Sequence, residues 1–507
     1  MKNLTMKIFV GLFVVAAVLL QSCKKDSETY SFLLNERGAF VEEPGGTTSL
    51  GFTAINISSV TPTTVPQGWS VTVEMNERRI SVTAPTTFPD DPKTLADGEE
   101  EEEENTNVRF GTVYLTGRSS GGSSVSTSLY VSLAETVDLT GQPSNCYIIN
   151  KSNARYCIDV TRKGEDTEAT MSPASVAILW ETPYKVIEFP KLVDGKAYFY
   201  HAIGTDDDEK EFFNHGNALL GAFDAAGKLL WSWHLWCAEF DPADEQVELG
   251  GEVMMKRNLG AGVVSGTSEE DILASYGVYY QWGRKDPFPG TTAFTIMNED
   301  YTYEVDGEPE VYGIDNRVLP KFGLTAEFHG TIEKSIRNPA VFYAMTYKHT
   351  GVEDEYGEEI VENDYKTGDW VDVSDDDYWG GESRKKTIYD PCPVGYKVPV
   401  CDADGNTPYA WLVYTAGKWD EANRGFEQEG QWFPTTGTRA YASGGLDYTE
   451  ANPYSGLWIG TKGKASDNLE LYPDLYGQYM FIIDSKRMLK VSKDKRSQGM
   501  SLRCVKE

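Results

Sequence analysis

The sequence predicts a mainly β protein, with two β-sandwiches followed by a larger α+β domain. Three observations point that way. Through the first half, short runs with period-two alternation recur between Gly, Pro and Ser turns, without a helical period. In the second half, helical signals are few, while Gly, Asp and aromatic residues are abundant and irregular stretches are long. At 507 residues the chain is too long for a single core, so several domains are expected.

Residues 1–22 read as a signal peptide. Lys2 and Lys7 precede an apolar run from Ile8 to Leu20, which is too short to span a bilayer comfortably, and Leu20-Gln21-Ser22-Cys23 follows as a lipobox. The expected product begins at Cys23 with its thiol diacylated, and more than one acyl chain gives stable anchoring. Residues 23–29 form a linker in which Lys24-Lys25-Asp26-Ser27-Glu28 resembles the charged export signals of Bacteroidota surface lipoproteins. That resemblance implies an outer-membrane address, lipid-anchored and facing the exterior. A formal net charge of -32 excludes nucleic acid as a partner, because phosphate recognition needs clustered Lys and Arg.

Residues 30–135 form the first expected sandwich. Gly68–Glu74, Arg79–Pro85, Gly111–Thr116 and Ser128–Leu133 each have an apolar and a polar face. The order of these strands resembles the BACON type of immunoglobulin-like domain, which implies a spacer or adhesive module. Between them, Asp97-Gly98 leads into Glu99–Glu104. Six consecutive carboxylates cannot pack together and read as a solvated loop rather than a calcium site.

Residues 136–252 form the second expected sandwich. Asn145–Asn150 and Ala154–Val160 read as paired strands across a polar turn, and Asp224-Ala225-Ala226-Gly227 as a hairpin loop. In the Trp-rich strand from Leu229 to Trp236, alternation puts Trp231 and Trp233 on one face, which reads as buried rather than as a sugar platform. His234, on the other face, reads as a structural histidine.

Residues 253–507 contain Tyr276–Phe288, whose alternation of Val278, Tyr280 and Trp282 against Tyr279 and Gln281 reads as a half-buried strand. Ser268–Ala274 carries a Ser cap and two glutamates, and Ala326–Lys334 has helical spacing. Long loops cover Asn298–Asn316 and Gly351–Gly381. Ser455–Gly460, Gln478–Ile483 and Ser501–Val505 read as closing strands.

Tyr276–Phe288, Leu230–Trp236, Met254–Gly260, the Asp390-Pro391-Cys392-Pro393-Val394-Gly395-Tyr396 turn and Gly499–Val505 together resemble the Fibrobacter succinogenes major paralogous domain. That family implies a C-type lectin-like fold for the last domain, and the whole then reads as two immunoglobulin-like β-sandwiches followed by an α+β C-type lectin-like domain. The resemblance also implies a disulfide between Cys392 and Cys504. Of the other cysteines, Cys146 and Cys157 suit a hairpin bridge, and Cys237 and Cys401 read as buried thiols.

No Gly-x-Ser-x-Gly elbow, His-Glu-x-x-His, P-loop or dinucleotide fingerprint occurs, and the five histidines are scattered. The lectin-like fold also serves the formylglycine-generating enzyme, but the late cysteines here read as partners in a bridge. No catalytic residues, metal ligands or cofactors are therefore expected. Asp402–Asn406 reads as a polar turn, with calcium the alternative. Ligand recognition is assigned to Asp375, Asp376, Asp377, Tyr378 and Trp379 with Trp419, Trp432 and Trp458, because aromatic faces stack on sugars while carboxylates accept hydroxyl hydrogen bonds. The expected function is non-catalytic binding of a glycan or of a host or bacterial surface protein, as an adhesin or nutrient-capture factor. The alternatives are a fimbria-associated tip subunit with pilus partners, and a carbohydrate-active enzyme.

Overall fold

A computed structural model describes residues 29–89, 106–205, 210–291, 311–313, 318–319, 326–327, 330–344, 348–353, 359–362, 369–409, 412, 418–420, 422–447, 454–463, 476–483 and 488–507. Cys23 and the residues before it, the Glu99–Glu104 run, and most of Asn298–Asn316 lie outside them. The protein is mainly β, with several small sheets and two short helices among the described residues. No helix among them is long and apolar enough to cross a membrane.

The contacts divide the chain into two compact units. The first comprises residues up to Asp138 together with Asn153–Cys157 and Tyr198–His201. Two four-stranded sheets form most of it. One runs in the order Ser31–Leu34, Thr47–Ile55, Arg79–Thr83, Ser70–Glu74; the other runs Gly38–Val41, Ser124–Leu133, Phe110–Arg118, Ser59–Thr64. Alternation sends Ile80 and Val82 from one sheet, and Val113, Leu115, Leu129 and Val131 from the other, into one core at 0% exposure. Trp69 closes that core, its indole N–H donating to the Val108 carbonyl at 2.8 Å.

The second unit holds Leu139–Ser152, Ile158–Ala197 and Ala202–Glu507. Its largest sheet runs Cys146–Ile149, Leu229–Cys237, Gly216–Phe223, Ser175–Thr182, Val311–Gly313, Val318–Leu319. Asp224 closes the hairpin between two of these strands as expected, its Oδ1 accepting from the Ala226 and Lys228 N–H groups at 2.9 Å. Residue 252 separates nothing here. The strands Val311–Gly313 and Val318–Leu319 extend the sheet begun by Cys146–Ile149, and one core joins Cys146 and Trp236 to Tyr280, Trp282, Trp458 and Cys504.

Three local expectations are also corrected. Asn145–Asn150 and Ala154–Val160 do not make a hairpin: Cys146–Ile149 runs parallel to His234–Cys237, and Arg155–Cys157 runs parallel to Thr136–Asp138. Cys146 and Cys157 are accordingly buried thiols, as are Cys237 and Cys401. Tyr276–Phe288 is not half-buried, because Tyr279 and Gln281 are as enclosed as Val278, Tyr280 and Trp282, and only Tyr280–Gln281 is regular strand. The helix expected at Ala326–Lys334 instead begins at Ile332, after the Thr331 cap, and ends at Arg337. The helix Glu269–Ala274 forms where its Ser268 cap places it.

Candidate functional site

The segment from Asp369 to Asp390 emerges from the core of the second unit and is held by its own side chains. Trp370 is buried and donates its indole N–H to the Trp282 carbonyl at 2.7 Å. Asp375 Oδ1 accepts the Asp377 N–H at 2.8 Å, and Asp377 Oδ1 accepts from Glu382 at 3.1 Å and Ser383 at 2.9 Å, so both carboxylates shape the turn. Gly380 has φ 74°, and a Cβ there would sit 1.9 Å from the Lys385 carbonyl oxygen, so only glycine fits.

Asp376 ties the segment to the core. It bonds Lys462 Nζ at 2.7 Å and the guanidinium of Arg496, which also bonds Asp369 Oδ2 at 3.2 Å. Burial alone would raise the Asp376 carboxyl, but the hydrogen bonds from Arg496 and Lys462 outweigh it and hold the group below the usual range. Asp369 is enclosed, and burial raises it despite Arg496.

Among the residues the segment leaves accessible are a carboxylate and two rings, beside the exposed Val373 and Glu382–Lys385. Asp375 is exposed, and Tyr378 and Tyr389 are half-buried, their centroids 5.5 Å apart in an edge-to-face arrangement. Tyr389 backs onto Trp231 at 6.3 Å, and Tyr378 packs across Gly283. Burial first, and the Asp375 charge second, push the Tyr378 hydroxyl up to about 12, and the same two causes raise Tyr389. Both phenols are therefore neutral donors at neutral pH. A rigid pair of ring faces beside a charged acceptor suits a sugar ring or a polar peptide.

The other tryptophans assigned to recognition do not join this patch. Trp379 is 1% exposed and packs 5.7 Å from Trp282; Trp458 is 0% exposed and donates to the Tyr280 carbonyl. Both belong to the core cluster around Trp282 and present no face to a ligand. Trp419 and Trp432 are half-buried on a separate three-stranded sheet, where Trp419 packs against the core containing Phe426 and Phe433. The Trp432 ring lies over Gly425, at 2.2 Å from where a Cβ would stand. Tyr389, which completes the patch, was overlooked in the sequence. Its only signal was a lone aromatic just before the Asp390-Pro391-Cys392 turn.

That turn is itself rigid. Cys392 and Cys504 form a disulfide, and Asp390 accepts the N–H groups of Cys392 at 2.8 Å and Val398 at 2.9 Å. Burial pushes the Asp390 carboxyl up to about 6, against the pull of Lys386.

Two buried clusters have the residue types of nucleophilic catalysis. Cys146 Sγ lies 3.6 Å from His234 Nδ1, and His234 Nε2 lies 2.8 Å from Asn217 Oδ1. Burial pushes the thiol up and holds His234 down at about 3, so the pair is thiol and neutral imidazole rather than an activated thiolate. His234 is thus the satisfied structural histidine expected, though in a strand buried on both faces. Lys285 Nζ donates to the Ser232 carbonyl, to Ser232 Oγ and to Asp286 Oδ1 at 3.0, 2.7 and 2.6 Å, beneath the Trp231 ring. Its three protons are thereby spent on structure. Asp402 closes the expected polar turn, accepting from Asp404 at 2.9 Å and Asn406 at 2.8 Å. Among the described residues, no three His, Cys, Asp or Glu side chains are grouped to hold a metal ion.

No protein-family model matches the chain, and no curated protein matches it. Among solved structures it is similar to the human desmocollin-1 ectodomain (14% identity, 42% of this chain and 37% of that one, TM-score 0.14). It is also similar to SGBP-B of the Bacteroides ovatus mixed-linkage glucan utilization locus, solved with a mixed-linkage heptasaccharide (12% identity, 40% and 43%, TM-score 0.13). A third is the Yersinia pseudotuberculosis adhesin InvE (10% identity, 50% and 74%, TM-score 0.14). The chain spans less than half the length of the first two. Likenesses this distant carry no argument about function.

Proposed function

We propose that the protein is an outer-surface lipoprotein, tethered through Cys23, that holds a glycan or a surface protein without transforming it. In this reading the first unit is the BACON-type immunoglobulin-like module, and the second carries the lectin-like recognition domain of the Fibrobacter paralogous type. The observation that carries the binding role is the Asp375, Tyr378 and Tyr389 patch on a segment clamped to the core by Arg496. Preorganisation of that kind lowers the entropic cost of binding. The address rests on the basic start, the apolar run and the lipobox of residues 1–23.

Glycan and host-protein arrays probed with the oxidised mature protein test the reading, followed by calorimetry on the ligand found. The Tyr378→Ala, Tyr389→Ala double variant should bind at least about tenfold more weakly, since aromatic anchors dominate such sites. Blank arrays, or a double variant that binds as well as the parent, would refute it. Mass spectrometry of the mature protein should find a diacylated Cys23 as its first residue.

A further inference from the structure

Outside the tyrosine patch, the second unit buries a cation that has no carboxylate partner among the described residues. Arg503 is 1% exposed. Its guanidinium donates to Asn258 Oδ1 at 2.9 and 3.0 Å, to Gln431 Oε1 at 2.8 Å and to the Trp432 carbonyl at 2.7 Å, and lies 4.5 Å from the centre of the Phe433 ring. Every one of these acceptors is neutral. The carboxylates nearby in sequence are engaged elsewhere: Glu245 pairs with Arg257, Asp420 accepts from Asn423, and Glu427 accepts the Gly430 N–H. Burial brings the guanidinium down to about 10, so it stays charged at neutral pH. An enclosed charge without an opposite one is costly, and neutral acceptors offset only part of that cost.

Two further donors beside it have nothing to donate to. Gln431 is fully buried, and because its Oε1 takes the Arg503 bond, its amide nitrogen is fixed on the same carbon next to the guanidinium, without a partner. Tyr409, 3% exposed, packs in the core cluster that holds Phe433, and its hydroxyl is also unpartnered. The Arg503 charge acts on that phenol, which burial keeps protonated. Buried donors of this kind are almost always satisfied. A water molecule would accept from them yet leave the guanidinium uncompensated, whereas an anion does both.

We propose that Arg503, Gln431 and Tyr409 hold a buried monatomic anion of the chloride class, which ties the segment beside the Cys504 bridge to the strand Gln431–Pro434. The enclosure of all three side chains excludes larger anions such as sulfate or a carboxylate. The site shares no residue with the tyrosine patch, so either can fail without the other. The full mature protein is unfolded by heat in sodium chloride and in sodium gluconate at matched ionic strength. Gluconate is too large to enter, and non-specific exclusion from the protein surface favours it over chloride as a stabiliser. A higher melting temperature in chloride, rising further with chloride concentration, therefore reports a bound ion. Tyr409→Phe keeps the ring and removes the hydroxyl, and should weaken the apparent chloride affinity about tenfold, the size of a hydrogen bond to a charged group. Crystals grown in sodium bromide should show an anomalous peak within hydrogen-bond reach of Arg503 and Gln431. Equal melting temperatures in the two buffers, a Tyr409→Phe variant that keeps the parent's chloride dependence, or no bromide peak beside Arg503 would each overturn the proposal.

Discussion

The guanidinium of Arg496 lies 4.0 Å from the centre of the Trp282 ring. Trp282 belongs to the aromatic run at the heart of the second unit, and Arg496 carries Asp369 and Asp376 on its outer edge. One buried cation thus joins the core to the segment that presents Tyr378 and Tyr389, and the surface inherits its rigidity from a contact far away in sequence.

Replacing Arg496 by Leu should therefore damage the fold and the patch together. It would strand Asp369, at 2% side-chain exposure, as an uncompensated buried charge, at a cost of about 3–5 kcal/mol. Urea denaturation checks the stability loss. The companion change Asp369→Leu in the same chain should recover a substantial part of it, which a mere packing defect would not.

Trp458 and Tyr389 should separate core from surface. Trp458→Ala should cost about 3–5 kcal/mol, as expected for a fully buried ring, while Tyr389→Ala, which loses only the contacts of a half-buried ring, should cost about 1 kcal/mol and weaken ligand binding. Thermal denaturation of the two variants side by side is the measurement. Equal melting temperatures would contradict the burial described for Trp458.

Removing the disulfide should lower stability without a rearrangement of the fold. The Cys392→Ser, Cys504→Ser variant opens a loop of 112 residues, for which chain-entropy arguments give about 4–5 kcal/mol. Denaturation of the parent with and without reductant should show the same difference.

Glu181 gives a pH signature with a definite sign. Burial pushes its carboxyl up to about 7, although its oxygens accept the Lys185 and Ile187 N–H groups at 3.1 Å. A folded value above the unfolded one means that its contribution is fully present below about pH 4 and is lost as the pH rises through about 7. His234, held down at about 3, acts in the opposite direction, since its contribution is lost as the pH falls from about 6 towards 3. The two slopes overlap in the whole protein. The difference in stability between the parent and Glu181→Gln isolates the first, and it should fall steadily from pH 4.5 to pH 7.5 in urea titrations.

Several pieces of this molecule were legible from local pattern. Ile80 with Val82 and Leu129 with Val131 alternate strictly, and their strands appear where that alternation puts them. Ser268 announces its helix, and Asp224 with Gly227 announces its hairpin. The candidate site was legible only in part. Asp375 and Tyr378 do reach the surface, but Trp379, the next residue, turns inward, and Tyr389 enters from beyond the Gly380 turn.

The sequence by itself determined the strand periods, the turn residues and the acidic net charge, because each depends on composition or on neighbours within a few positions. Tertiary structure decided which tryptophans are hidden, which strands Cys146 and Cys157 join, and that Arg496 holds the Asp369–Asp390 segment. Those outcomes depend on whether a second layer covers a face, and on charges that meet only when residues more than a hundred positions apart are packed together, which no local pattern encodes.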